Sequence, residues 1–129
     1  MARTRVLLGE FGEDLACAEL QRRGYAILAR RYRRRGGEID IIARDGDGRT
    51  TVFVEVKARR GAAYGTGADA VTFVKRRRLV ATAMDYLARN RLIDQPCRFD
   101  VVAIVMGDHD PIVELIQHAF DAGATGYKA

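Results

Sequence analysis

The chain has 129 residues, enough for one compact core and too few for two ordinary domains. Its 48% hydrophobic and 30% charged content excludes a disordered chain, and its two cysteines, far apart and without metal-ligand spacing, exclude a disulfide scaffold or a thiolate metal site. A net charge of +5, from 22 Lys+Arg against 17 Asp+Glu, points toward a polyanionic partner.

The first apolar run, Val6-Leu7-Leu8, is far shorter than a secretory or membrane-spanning segment, so a cytoplasmic protein without membrane contact is expected, with Cys17 and Cys97 as reduced thiols. Leu8, Phe11, Gly12, Leu15, Ala16 and Leu20 recur at three- and four-residue spacing, and Gly24 stands where a left-handed cap falls. This spacing predicts a helix over about 8–23. Glu10 and Glu13 share a face of it, which by itself reads as an acidic helix start favoured by the dipole. Residues 25–28 form a short apolar strand candidate, followed by five arginines in Arg30-Arg31-Tyr32-Arg33-Arg34-Arg35 and a Gly36-Gly37 hinge.

Two β-rich runs follow, 38–44 and 50–58, separated by Asp45-Gly46-Asp47-Gly48, a strong hairpin signal. After a loop around 61–67, Thr72 is a candidate N-cap, and Phe73, Val80, Ala83, Met84 and Leu87 form one stripe of a second helix that ends near Asn90. Residues 97–106 read as a strand buried on both faces, and a turn through Pro111 leads to a last strand over about 112–117. His109 and His118 read as surface residues. The order αββαββ, or αβββαββ if 25–28 counts, predicts an α/β fold with a central mixed β-sheet flanked by helices, in a single domain over 1–120 with a tail at 121–129.

Chemistry concentrates in the hairpin. Side chains alternate along a strand, so Glu55 and Lys57 share one face while Val52, Val54 and Val56 share the other. Likewise Glu38 and Asp40 oppose Ile39 and Ile41. Closing the hairpin with a two-residue Asp47-Gly48 turn sets Asp40 across from Glu55 and Glu38 across from Lys57. A turn at Asp45-Gly46 preserves that parity, whereas a three-residue loop reverses it. Opposed carboxylates repel unless compensated. A divalent cation compensates them: Mg²⁺ or Mn²⁺ bound by Asp40, Glu55 and the Val56 carbonyl, with water in the remaining positions, suits phosphodiester hydrolysis. Lys57 would orient the attacking water or stabilise the transition state, held charged by its acidic neighbours. The competing reading is a surface hairpin in which Lys57 pairs with Glu38 or Glu55 as an ordinary salt bridge.

Basic residues cluster in three blocks: the arginines at 30–35; Lys57, Arg59 and Arg60; and Lys75-Arg76-Arg77-Arg78. One such block reads as a solvated surface. Three flanking an acidic hairpin read as nucleic-acid contact, through Arg31, Arg33, Arg34, Arg35, Arg59, Arg60, Lys75 and Arg76.

Gly9-Glu10-Phe11-Gly12-Glu13-Asp14-Leu15-Ala16, Gly24-Tyr25, Gly36-Gly37-Glu38-Ile39-Asp40, Val52-Phe53-Val54-Glu55-Val56-Lys57, Ala70-Val71 with Lys75, Arg98-Phe99-Asp100-Val101-Val102 and the ending at 116–120 together resemble the YraN-like family. That family is similar to archaeal Holliday-junction resolvases and to the PD-(D/E)XK nuclease superfamily. The resemblance implies a restriction-endonuclease-like fold and a DNA endonuclease acting on branched substrates. It implies a core site of Asp40, Glu55 and Lys57, a helix-borne acid at Glu13 that completes the metal site, and an accessory acid at Glu38. Ile39 stands where the superfamily motif often has proline. The resemblance also implies a homodimer. The alternative function is a non-catalytic nucleic-acid-binding module that retains the nuclease fold.

Overall fold

A computed structural model describes residues 2–60 and 72–120, with side chains from Glu10 onward; the loop expected around 61–67 and the tail at 121–129 lie outside them. The elements are α1 (Ala2–Arg22), β1 (Ala26–Arg34), β2 (Gly37–Arg44), β3 (Thr51–Arg60), α2 (Phe73–Arg89), β4 (Cys97–Met106) and β5 (Ile112–Phe120). They form one five-stranded sheet in sequential order, β1-β2-β3-β4-β5. All pairs are antiparallel except β3 and β4, which run parallel because α2 carries the chain back between them.

Each face of the sheet is covered by one helix. Ala16, Cys17 and Leu20 of α1 pack on Ile41, Ala43, Val52, Val54, Val102 and Ile104. Leu79, Val80, Ala83 and Leu87 of α2 pack on Ile39, Ile42, Phe53, Phe99, Val101 and Phe120 on the other side. This arrangement accounts for the apolar run from Val101 to Met106 in β4, whose central residues need apolar neighbours in both directions. No described helix is long and apolar enough to cross a membrane.

Local signals set the element ends. Gly24, at φ +90°, closes α1: its N–H donates to Gln21 O at 3.0 Å and that of Tyr25 donates to Leu20 O at 2.9 Å, the double bond of a left-handed helix stop. Thr72 caps α2 as expected, its Oγ1 accepting from the Lys75 N–H at 3.2 Å.

Four expectations change. α1 begins at Ala2 instead of near residue 8, so Glu10 and Glu13 lie in its middle and no acid stands in its first turn. β1 runs through the arginine block to Arg34 instead of ending near residue 28. It is an edge strand hydrogen-bonded to β2 alone, and its arginines are held by carboxylates of both helices, so it needs no apolar alternation. β5 continues to Phe120, with Asp100 Oδ1 accepting the His118 N–H at 3.1 Å across an irregular step. The hairpin loop is longer than two residues: Asp45 N–H donates to Thr50 O at 2.9 Å, and the Asp47 carboxylate accepts from the backbone of Arg49 and Thr50 and from the Thr50 hydroxyl. The register is nonetheless the expected one, Ile41 with Val54 and Ala43 with Val52, because loops of two and four residues share parity.

At the hairpin-turn end a buried polar network ties four strands together. Arg98, only 10% exposed, donates to Asp100 at 2.9 Å, Asp45 at 2.8 Å and the Tyr25 hydroxyl, to which Gln117 also donates at 2.8 Å.

Candidate active site

β2 and β3 pair as far as Ile41 and Val54, and then the backbone ladder stops. The next facing residues are Asp40 and Glu55. The Asp40 carboxylate takes over the ladder, its Oδ2 accepting the Val56 N–H at 2.8 Å. Burial first, and then the adjacent Glu55 carboxylate, push the Asp40 carboxyl up to about 7. Glu55 is 6% exposed; its Oε1 accepts from Lys75 Nζ at 3.0 Å, while its Oε2 is buried and no lysine or amide reaches it. Two buried carboxylates this close cannot both stay ionised at no cost: they share a proton, in a hydrogen bond between Asp40 and Glu55 that raises the Asp40 pKa, or a cation between them.

Lys57 lies two residues along β3 on the same face as Glu55. It was expected to be held charged by the acids. Instead burial, followed by the ammonium of Lys75, lowers its pKa. Burial works against the charge of Lys75 as well, but hydrogen bonds to Lys57 and Glu55 outweigh it and raise its pKa. Of the two neighbouring ammoniums, Lys57 is the one whose proton burial and its neighbour loosen. Lys75 was expected on the nucleic-acid surface; its contact with Glu55 places it in the site. Besides its place among the family motifs, its signal in the sequence was a lone lysine heading a block otherwise made of arginine, one turn after the N-cap.

Glu38 is not across from Lys57. Pairing with β3 has ended, and its carboxylate meets Arg33 of β1 at 3.4 Å. The alternation expected of β2 also breaks here, for Ile39 joins the α2-side core while Ile41 joins the α1-side core. The cause is the start of the strand. Gly37 lies so close to α2 that a β-carbon there would meet the Thr82 side chain and sit 3.2 Å from the Arg78 carbonyl oxygen. β2 therefore leaves β3 for the helix, and the strands fork at Asp40. Arg31, facing Asp40 on β1, absorbs the same rotation at φ +53°.

Glu13 of α1 stands near enough to add to the rise in the Asp40 pKa, but Arg31 and Arg30 bind its carboxylate at 3.1 and 3.4 Å. Among the described residues no group of three or more acidic, histidine or cysteine side chains is placed to hold a metal. The acids brought together are Asp40 and Glu55, flanked by Lys57 and Lys75. Of the arginines expected on nucleic acid, Arg31, Arg33 and Arg34 hold Glu13, Glu38 and Asp85; Arg76 lies 5.6 Å from the Phe120 ring centre; Arg35 and Arg60 are exposed and Arg59 is half-buried.

A family model described as Uncharacterised protein family UPF0102 matches residues 12–104. A UPF0102 protein of Geobacter sulfurreducens is 49% identical over 116 residues, which cover 89% of each chain. One from Symbiobacterium thermophilum is 51% identical over 116 residues, covering 89% of this chain and 97% of the relative. One from Cupriavidus pinatubonensis is 47% identical over 119 residues, covering 92% and 88%.

Proposed function

The chain belongs to the UPF0102 family, the YraN-like family that its motifs resemble, and from that premise we propose that it is a divalent-metal-dependent endonuclease of restriction-endonuclease-like fold, cleaving phosphodiester bonds of DNA. One observation carries this reading: two carboxylates meet at the fork of β2 and β3 with one buried oxygen that no lysine or amide reaches and two lysines alongside.

The donor set fits a hard cation. Both groups are carboxylates, no lysine or amide reaches the Glu55 Oε2, and the proton that Asp40 shares with Glu55 up to about pH 7 is one that a cation would displace. Mg²⁺ or Mn²⁺ would be held by Asp40, Glu55 and the Val56 carbonyl, and would supply an acidified water and neutralise charge on the phosphoryl oxygens. The chain's own groups do the rest. Val56 N–H fixes the orientation of Asp40. Lys75 holds Glu55 and adds positive charge where the phosphoryl group would gain negative charge. Lys57, with its lowered pKa, can take a proton from an approaching water or return one to the leaving oxygen. Glu13, neutralised by two arginines, acts on the site through its field. Branched DNA as substrate and pairing of two copies complete the proposal by resemblance, and a cytoplasmic setting completes it from the short apolar runs of the sequence.

The test is incubation of the purified chain with linear, flap and four-way DNA, with Mg²⁺ or Mn²⁺ and with chelator. Metal-dependent cleavage that Glu55→Ala abolishes is expected; no cleavage above that of the variant overturns the reading. A second reading, a binding module without catalysis, draws on the sequestration of Glu13 by arginine and requires DNA binding that chelator leaves unchanged.

A further inference from the structure

Away from the carboxylates, a groove of about 600 Å³ opens between the β1–β2 turn and the outer face of α2. Arg34 and Arg35 form one wall, and Arg77, Arg78 and Arg89 the other, with Asp85 as the acid of the lining. Asp85 organises the groove: its carboxylate accepts from Arg34 Nε at 2.8 Å, from Arg89 Nε at 3.1 Å and from the Tyr32 hydroxyl at 2.8 Å. Two guanidiniums are thus pinned in place. Arg35, Arg77 and Arg78 hold no carboxylate among the described residues, so the groove carries a surplus of positive charge gathered from two elements far apart in the chain. Like charges converge this way at a cost that a bound anion offsets, and a guanidinium's fork of donors matches phosphate oxygens.

We infer that this groove is a phosphate site gripping the backbone of a nucleic-acid strand at internal phosphates neighbouring the paired carboxylates. The inference rests on the nuclease reading for the identity of the strand, and its own support is the groove. The spacing comes from α2. The helix rises about 1.5 Å per residue, so Ala81, at the middle of the helical wall, lies about 9 Å beyond Lys75 along the axis, within reach of the next phosphates of a strand held at the carboxylates. Lys75 itself touches Glu55. One helix therefore presents Lys75 to the proposed scissile bond and, on an adjoining part of its surface from Val74 to Arg89, a wall of arginines to neighbouring phosphates. Arg77 and Arg78 belong to the third basic block but are absent, like Arg89, from the contact residues expected from the sequence, where nothing showed that they converge with Arg34 and Arg35.

The experiment measures fluorescence anisotropy of labelled oligonucleotides, with 5′-hydroxyl and 5′-phosphate ends, in chelator so that no hydrolysis intrudes. The wild-type chain is compared with Arg77→Gln/Arg78→Gln and with Arg22→Gln/Arg49→Gln, which removes the same charge away from the groove. The groove variant should bind about tenfold or more weakly and reduce the slope of log affinity against log salt by about two, while the control changes it far less. Equal loss with both ends assigns an internal phosphate; loss confined to the 5′-phosphate probe overturns the internal placement. Equal weakening by the two double variants overturns the site altogether. Should the groove variant not fold, Arg35→Gln on the opposite wall gives the same direction at smaller size. Groove-dependent binding without any cleavage by wild type leaves the site standing and removes the nuclease; cleavage with binding indifferent to Arg77 and Arg78 does the reverse.

Discussion

Asp40 spends one carboxylate oxygen completing the backbone of the neighbouring strand and presents the rest of the group to Glu55. Its carboxyl titrates near 7 against 3.8 in a free chain, so without metal the folded protein keeps a proton that the unfolded chain has lost between those values. The sign follows: this group's contribution to stability is full below about pH 4 and is lost as pH rises through 7, with a ceiling of about 4 kcal/mol. Urea denaturation in chelator should show that decline, and Asp40→Asn should flatten it. At pH 8, Mg²⁺ should raise the melting temperature of the wild-type chain and leave that of Asp40→Asn unchanged, because a cation binding only the folded state stabilises by mass action. The meeting of Asp40 and Glu55 could be read from strand alternation and loop parity. The part played by Lys75 could not, since no local rule connects a helix residue to a strand reached through a separate loop.

At the level of elements, the site depends on the two ends of β2. Its hairpin end keeps strict register, and its other end is drawn onto α2 at Gly37. Gly37→Ala should therefore cost about 1–3 kcal/mol by urea denaturation, through contact with Thr82 and the Arg78 carbonyl, and should also alter metal binding by shifting the fork. Thr72→Ala, which removes the cap beside Lys75, should cost about 1 kcal/mol. Periodicity made both helices and β4 legible, because their burial is one-sided or complete. It failed for β1, where arginines occupy strand positions and are satisfied by Glu13, Asp14 and Asp85 in place of a core. It failed again at Ile39 and Ile41, since alternation presumes a strand that does not rotate.

Across the whole molecule, the αβββαββ order was enough to anticipate a mixed sheet between helices, while the parallel pairing of β3 with β4 depends on where α2 returns the chain. The sheet is locked at one end and forked at the other. Asp100→Ala should cost about 3–5 kcal/mol in denaturation, because it leaves the guanidinium of Arg98, 10% exposed, without the acid that accepts two of its hydrogen bonds. The fork has an analytical consequence. The amide of Val56 donates to a side chain that ionises and, in the proposed enzyme, binds metal; its hydrogen-exchange rate and proton chemical shift thus become a gauge of what occupies the carboxylates, readable by NMR in a chain that has neither substrate nor label.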